Sequence, residues 1–499
     1  MPRHRRLLVA MGWIACGLMN RPSQADVRVP RLFTDSMVLQ QAVPIPVWGT
    51  ADEGEAIQVR LGEQAASTTA RDGRWMVKLP PMKAGGPHTL TIAGTNTIRV
   101  TDVMIGEVWV CSGQSNMAWP VSMSAGAEEV LSGPMNRDLR LFTVPRRWAP
   151  TPETDLPEGQ WVPCAPAEVA KFSAVGYFFG MKLQQDLGVP VGLINSSVGG
   201  TPAEAWTPRE ALEAEPDLRG LLAATASAPA ARPRRRAGGV GSWPSSAPAV
   251  DMKRPTGLYN AMIRPLQPFA IRGVIWYQGE GNAPRAYQYR TLFPTMIASW
   301  RRDWGQGAFP FLFVQLAPYM KKADRPTESA WAELREAQLL TMRTTPNTAM
   351  AVITDAGDEN DIHPKAKRVV GERLALAAEA IAYGQKVEYL GPLYERLEIR
   401  GSEAVLHFSH TTGGLVARGG SLRGFTIAGE DRVFVNAEAR IEADTVVVWS
   451  PQVSRPVAVR YGWADYPLGN LWNGAGLPAS PFRTDDFPGK TAPPGLRPR

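Results

Sequence analysis

The residues of this chain that could do chemistry together are one serine, one histidine and a few carboxylates and amides at sequence junctions. Ser115 lies in GEVWVCSGQSNMAWP, Gly106–Pro120, where an apolar run ends in a glycine turn. A serine at the C-terminal end of a buried strand is where α/β hydrolytic enzymes often hold a nucleophile. Serine is a weak nucleophile without a base, and histidine is the usual one. The chain has five histidines. His4 falls in the basic N-terminal head, His88 among short N-terminal strands, and His407 and His410 beside C-terminal ones. Only His363, in DAGDENDIHPKAK, follows a buried strand of the middle region and precedes a helix. Asp361 or Asp358 could orient its ring. The alternatives are a solvated loop histidine or a metal site on the acidic run, which offers a single histidine.

An oxyanion formed at Ser115 needs hydrogen-bond donors on the same rim. Backbone N–H groups at Gly199 or Gly200, in SSVGG, could supply them, as could the side-chain amides of Gln278 or Asn282, in WYQGEGN. Gln114, Asn116 and Glu280 are polar residues on the same turns and join the substrate-binding candidates. Trp119, Trp206, Trp276 and Tyr277 lie close by, either as core or as a platform for a sugar ring.

These residues must be positioned by strands that end on one edge of a sheet. After Ser115 apolar strands alternate with helical stretches, the texture of βαβ units. Helices are expected over Gly176–Leu187, Ala332–Arg343 and Pro364–Tyr383, with strands ending at Ser115, Gly199, Gln278 and Asp355. Those four strands should run parallel in one sheet, with their tips on one rim and His363 in reach of Ser115. Residues 26–100 read as an N-terminal antiparallel β-sandwich, 101–385 as the α/β domain, 386–487 as a C-terminal β domain and 488–499 as a tail. An Ala/Pro/Arg/Ser-rich insertion occupies about 215–251, and its second half reads as a mobile surface loop.

Apolar residues make up 44% and charged residues 20% of 499, an ordinary globular balance with ample core. MPRHRR, the apolar run Leu7–Met19 and Ser23-Gln24-Ala25 read as a secretory signal cut after Ala25, so the protein is expected outside the cytoplasm or in the periplasm. Acylation of Cys16 is the alternative, with Trp13 against it. Loss of the signal lowers the formal net charge from +7 to +3, too little to argue for nucleic-acid binding. No later stretch is apolar for long enough to span a bilayer. Cys111 and Cys164 could pair, or stay as buried thiols. Nothing bears on oligomeric state.

The motifs GEVWVCSGQSNM, SSVGGTPAEAW, GLYNAMIRPL, GVIWYQGEGNA and NDIHPKAKRVVGERLAL carry a family resemblance over nearly the whole mature chain, as do FTDSMVLQ, VPIPVWGTA, VAVRYGW and GLPASPFRTDD in its flanks. The chain resembles the sialate O-acetylesterase family of the SGNH (GDSL-like) hydrolase superfamily. The resemblance implies a three-layer α/β/α hydrolase domain with a parallel sheet, flanked by antiparallel β domains. It also implies an O-acetylated sugar or glycan as substrate, with Ser115 as nucleophile, His363 as base and no metal or organic cofactor. Ser115 N–H, the Gly199/Gly200 region and Gln278 or Asn282 would form the oxyanion hole. Two positions depart from the family pattern: Gly281 stands where QGESN has serine, and Asn360 stands where the superfamily's aspartate precedes the histidine by three residues; the resemblance, which spans NDIHP, favours Asp361 over Asp358 as the carboxylate that orients His363. The other functional classes are an acetylesterase of a plant polysaccharide such as xylan or xyloglucan, a non-catalytic sugar-binding protein, and a glycosidase using Glu280 with an aspartate.

Overall fold

The computed structural model describes residues 26–226 and 252–496, so the expected signal peptide and the second half of the 215–251 insertion lie outside the described residues. The first half of that insertion carries helix, given below.

Six short strands come first: β1 (Val38–Gln40), β2 (Ile45–Thr50), β3 (Ala56–Leu61), β4 (Gln64–Thr69), β5 (Arg74–Leu79) and β6 (Gly85–Ala93). Inward residues of β3 alternate with exposed ones, the signature of a strand half covered by a core. The pair β2–β5 buries Val47 and Val77 in the same cluster as Val59 of β3 and Ile92 of β6. The next strand, β7 (Thr97–Gly113), runs 17 residues without a break. Its first half pairs antiparallel with β6, and its second half is the central strand of the α/β sheet. A boundary at residue 100 therefore falls inside one strand, and the two regions share a core.

Beyond β7 come β8 (Leu139–Thr143), β9 (Trp161–Pro163), β10 (Val191–Ser197), β11 (Gly273–Tyr277), β12 (Phe311–Val314) and β13 (Thr348–Ala351). The spatial order is β13-β12-β11-β7-β10-β8-β9, parallel throughout except at edge strand β9. In register, Ser197 and Tyr277 both stand opposite Gly113, so the tips of β10, β7 and β11 end level. The parallel arrangement of the four strand ends agrees with the expectation. The helices are α1 (Ser115–Ala118), α2 (Ala127–Ser132), α3 (Pro166–Lys171), α4 (Ala174–Leu187), α5 (Arg209–Ala214), α6 (Arg219–Ala226), α7 (Ala286–Trp304), α8 (Ala330–Thr344) and α9 (Lys367–Tyr383).

Because strand side chains alternate between faces, each core strand sends its residues to two layers. Val108, Val110, Val274, Trp276, Phe311 and Phe313 go to the face covered by α7 and α8. Trp109, Cys111, Ile275, Tyr277, Leu312 and Val314 go to the face covered by α4 and α9. The result is a three-layer α/β/α sandwich. Its strands are apolar on both faces, as a sheet buried on both sides requires. Cys111 and Cys164 are both buried free thiols, and burial pushes the Cys164 thiol up to about 12. No helix of the described residues is long and apolar enough to cross a membrane.

From Leu393 onward the chain is antiparallel β. One four-stranded sheet takes Leu393–Arg400, Glu403–Ser409, Thr445–Trp449 and Glu438–Glu442 in that order, and a second is centred on Phe425–Ala428 and Ala458–Tyr461. This unit is bound to the hydrolase layers through the fully buried Arg335 of α8. Its guanidinium donates to the carbonyls of Leu316 and Ala317 on one side and of Ala464 and Asp465 on the other. Burial pulls that arginine down to about 9 even with Asp465 opposing it, and the four carbonyls are what make its position tenable.

Candidate active site

The rim is built where β7 turns. Gly113 has φ +134°, and a Cβ there would lie 2.2 Å from the Tyr277 carbonyl oxygen, so the approach of β7 to β11 needs glycine. Gln114 N–H donates to that carbonyl at 2.9 Å. The chain then enters the short α1, whose first residue is Ser115. Gln114 and Asn116 are 3% and 1% exposed, while Ser115 between them is half-buried. The serine is thus the member of the turn that faces out. As the first residue of a helix its N–H has no intrahelical acceptor. Gly199, just past β10, lies alongside: a Cβ built on it would sit 3.4 Å from Ser115 Cβ. Gly199 and Gly200 are exposed, and Gly200 has φ +72°.

The amides at the tip of β11 are placed differently from the expectation. Gln278 is fully buried, and its Nε2 donates to Asn282 Oδ1 at 2.6 Å and to the Thr201 carbonyl at 3.4 Å. Asn282 is 1% exposed; its Nδ2 donates to Glu204 Oε2 at 2.9 Å and its Oδ1 accepts from Ala203 N–H at 2.8 Å. Both amides are committed to the segment Thr201–Glu204, with Arg285 completing the cluster at Glu204, 2.5 Å away. The physical reason is Glu204, a buried carboxylate that needs donors more than the open rim does. These side chains hold the turn that follows Gly199–Gly200. Gln114 Oε1 accepts from Gly281 N–H at 3.0 Å, joining the serine turn to the β11 tip.

The aromatic candidates divide in the same way. Trp206, Trp276 and Tyr277 are fully buried core residues. Trp119 is stacked on the His363 ring, with centroids 5.1 Å apart and planes 19° off parallel.

His363 stands in the loop between β13 and α9. The helix starts at Lys367, three residues later than expected. The carboxylates of the acidic run capture loop N–H groups first: Asp358 Oδ1 accepts from Asn360 and Asp361 N–H at 2.9 and 3.2 Å, and Asp361 Oδ1 from His363 N–H at 2.8 Å. Such side-chain turns compete with helix for the same backbone groups. Asp355, at the base of the loop, forms a two-bond pair with Arg373 of α9 at 2.6 and 2.8 Å. The loop is joined to the serine turn by Asn116, whose Nδ2 donates to the Ile362 carbonyl at 3.0 Å and to Glu280 Oε1 at 2.6 Å. Asn116 Oδ1 accepts from Lys367 Nζ.

Asp361 Oδ1 lies 3.5 Å from His363 Nδ1, close enough to act on the ring charge but longer than a good hydrogen bond. Asn360 is exposed. Burial pulls the His363 imidazole below its ordinary value, the Lys367 ammonium pulls the same way, and Asp361 opposes both. The ring is therefore neutral at pH 7, the form a general base needs. Burial also pulls Lys367 down to about 7 and pushes Glu280 up. Lys367 had no place in the sequence reading. A lysine in the first turn of a helix reads as solvated, and only its position four residues after His363 hinted otherwise.

An out-facing serine at the tip of the central parallel strand, with a neutral histidine on the adjoining loop, gives this fold the rim of an α/β hydrolase. Residues 238–380 match the family described as carbohydrate esterase, sialic acid-specific acetylesterase. The sialate O-acetylesterase of Rattus norvegicus is 33% identical over 441 residues, 79% of this chain and 80% of that protein. The human sialate O-acetylesterase is 32% identical over 428 residues, 78% of each. The crystal structure of a carbohydrate acetylesterase from Xanthomonas citri superposes with a TM-score of 0.83 at 40% identity, covering 93% of this chain and all of that one. The chain belongs to the sialate O-acetylesterase family.

Proposed function

We propose that this esterase removes O-acetyl groups from sugars through an acetyl-enzyme on Ser115, with His363 as base. The observation that carries the reading is the Asn116 bridge. It ties the residue after Ser115 to the residue before His363, so that both side chains belong to one rim beside the exposed Gly199. His363 takes the Ser115 hydroxyl proton as Oγ attacks the acetyl carbonyl carbon. The oxyanion is held by the N–H groups of Ser115 and Gly199, in a turn braced by Gln278 and Asn282. Collapse expels the sugar oxygen, which takes the proton from His363. Water, activated by the same histidine, then releases acetate. Glu280, the carboxylate of the glycosidase reading, accepts from Asn116 Nδ2 at 2.6 Å and is in this way part of the bridge.

The deciding experiment is acetate release from a panel of O-acetylated sialosides, xylan and xyloglucan. Release from one class identifies the leaving sugar. No release from any of them, with binding retained, would make the protein a sugar-binding module instead.

A depressed His363 also fixes a pH dependence. The base is active when neutral, so kcat/KM should hold below the ordinary histidine value near 6.5 and fall only as His363 gains its proton. A kcat/KM profile on a chromogenic acetate ester measures this, and an acid limb centred at or above about 6.5 would contradict it.

Export is supported by the basic head and short apolar run that precede Ala25. N-terminal sequencing of the exported protein should begin at Asp26.

A further inference from the structure

One group beside the rim has no part in the mechanism above. Lys367 is fully buried at the first position of α9, where its charge opposes the positive end of the helix dipole. Burying an ammonium costs several kcal/mol unless it is well paired. Its Nζ donates to Asn116 Oδ1 and lies over two aromatic faces, Tyr277 at 5.4 Å and Trp119 at 5.7 Å. The charged and titratable groups around it are Glu280 and Tyr277 from the β11 end, and Asp361 and His363 from its own loop. Asn116 of α1 and Trp119, just past the end of that helix, close the remaining side.

An amide's oxygen and nitrogen turn together. With Oδ1 held by Lys367, Asn116 has its two Nδ2 hydrogens for Glu280 Oε1 and the Ile362 carbonyl. All of the amide's donors are then used. Take away the ammonium and the buried Oδ1 is left without its donor, while the 180° flip offers no relief, since it would put an oxygen against both the Glu280 carboxylate and the Ile362 carbonyl. Trp119, the other face of the lysine's enclosure, is the ring stacked on His363.

We propose that Lys367 is a positioning residue that locks the Asn116 bridge between the serine turn and the histidine loop. This rests on Ser115 and His363 being nucleophile and base. The Lys367 ammonium also adds to burial in disfavouring a second positive charge on the His363 ring. The lysine is itself charged below about pH 7, the range in which the depressed His363 titrates.

The test compares Lys367→Met and Asn116→Ala with the wild type. Three quantities are read: kcat and KM across pH, thermal midpoint, and the His363 titration followed by NMR without substrate. Lys367→Met should lower kcat by about 10- to 100-fold with KM within about threefold, the scale of a misplaced catalytic pair. Its acid limb and NMR titration should both move to higher pH. Asn116→Ala should lower kcat similarly with the His363 titration unmoved, because the charge is still present. A lysine that only fills space would lower the thermal midpoint and leave the His363 titration where it was. A folded Lys367→Met with wild-type kcat and an unshifted His363 overturns the proposal, and so does Asn116→Ala with wild-type kcat, which decides the matter should Lys367→Met fail to fold. The NMR arm needs no turnover, so a wild type inactive on every ester would refute the esterase reading and still leave the lysine's effect on His363 measured.

Discussion

Replacing Ser115 by alanine is expected to take acetate release to background, a loss of at least about 10⁴-fold in kcat; the corresponding loss in a well-studied serine protease is about 10⁶. The fold should be untouched. Alanine is the best helix former, the position is half-buried, and the nearest approach of Gly199 is to the serine's Cα and Cβ, which alanine keeps. Three other serines lie near the strand tips, and none is available. Ser112 and Ser196 are fully buried and Ser197 is 3% exposed. Ser196 Oγ donates to the Met262 carbonyl and Ser197 Oγ to Asn195 Oδ1. Acetate release should be followed with an unchanged thermal midpoint as the control. A variant within about tenfold of wild type would mean that the nucleophile is elsewhere, since no packing defect offers an alternative account of so small a change.

The sheet was legible in the sequence where strands were apolar on both faces and closed by glycine. VWVCSG and VIWYQG announce themselves because a run buried on two sides cannot alternate. β12 was missed: Phe311–Val314 is four residues long, too short to separate from its flanks. α7 was missed because Pro294 and a string of charged and aromatic residues blur its period, although nine of its nineteen side chains are buried. The boundary at residue 100 failed for a different reason. A composition change marks where antiparallel pairing gives way to parallel, and here both happen along the single strand β7. At the site, residue type and position found Ser115 and His363 but not the direction of side chains. Gln278 and Asn282 look identical, in sequence, to amides that face a substrate. Their orientation depends on Glu204, some seventy residues away along the chain and buried beside them. Lys367 was hidden by the same kind of distance, its burial depending on Tyr277 and Trp119.

The carboxylate behind His363 carries the other large effect. Asn360, at the superfamily's usual aspartate position, is neutral and exposed and cannot stabilise an imidazolium. Asp358 spends Oδ1 on two loop N–H groups. Asp361 both accepts from the His363 N–H at 2.8 Å and brings the same oxygen to 3.5 Å from Nδ1. Catalytic hydrogen bonds are often long before substrate binds and tighten as the site closes, and a contact of this length needs only a small ring rotation to become one. We therefore expect Asp361→Asn to lower kcat by about 10² or more, toward the ~10⁴ of a fully formed triad, and Asp358→Asn to cost less than about tenfold. The pH profile should move as well. Asp361 raises the His363 pKa, so its loss leaves the ring neutral to lower pH and carries the acid limb downward, opposite to the shift expected for Lys367→Met. Kinetics of both aspartate variants alongside His363→Ala measure this directly. Two near-wild-type aspartate variants would leave a serine–histidine dyad, with the ring held by its stacking on Trp119 rather than by a carboxylate.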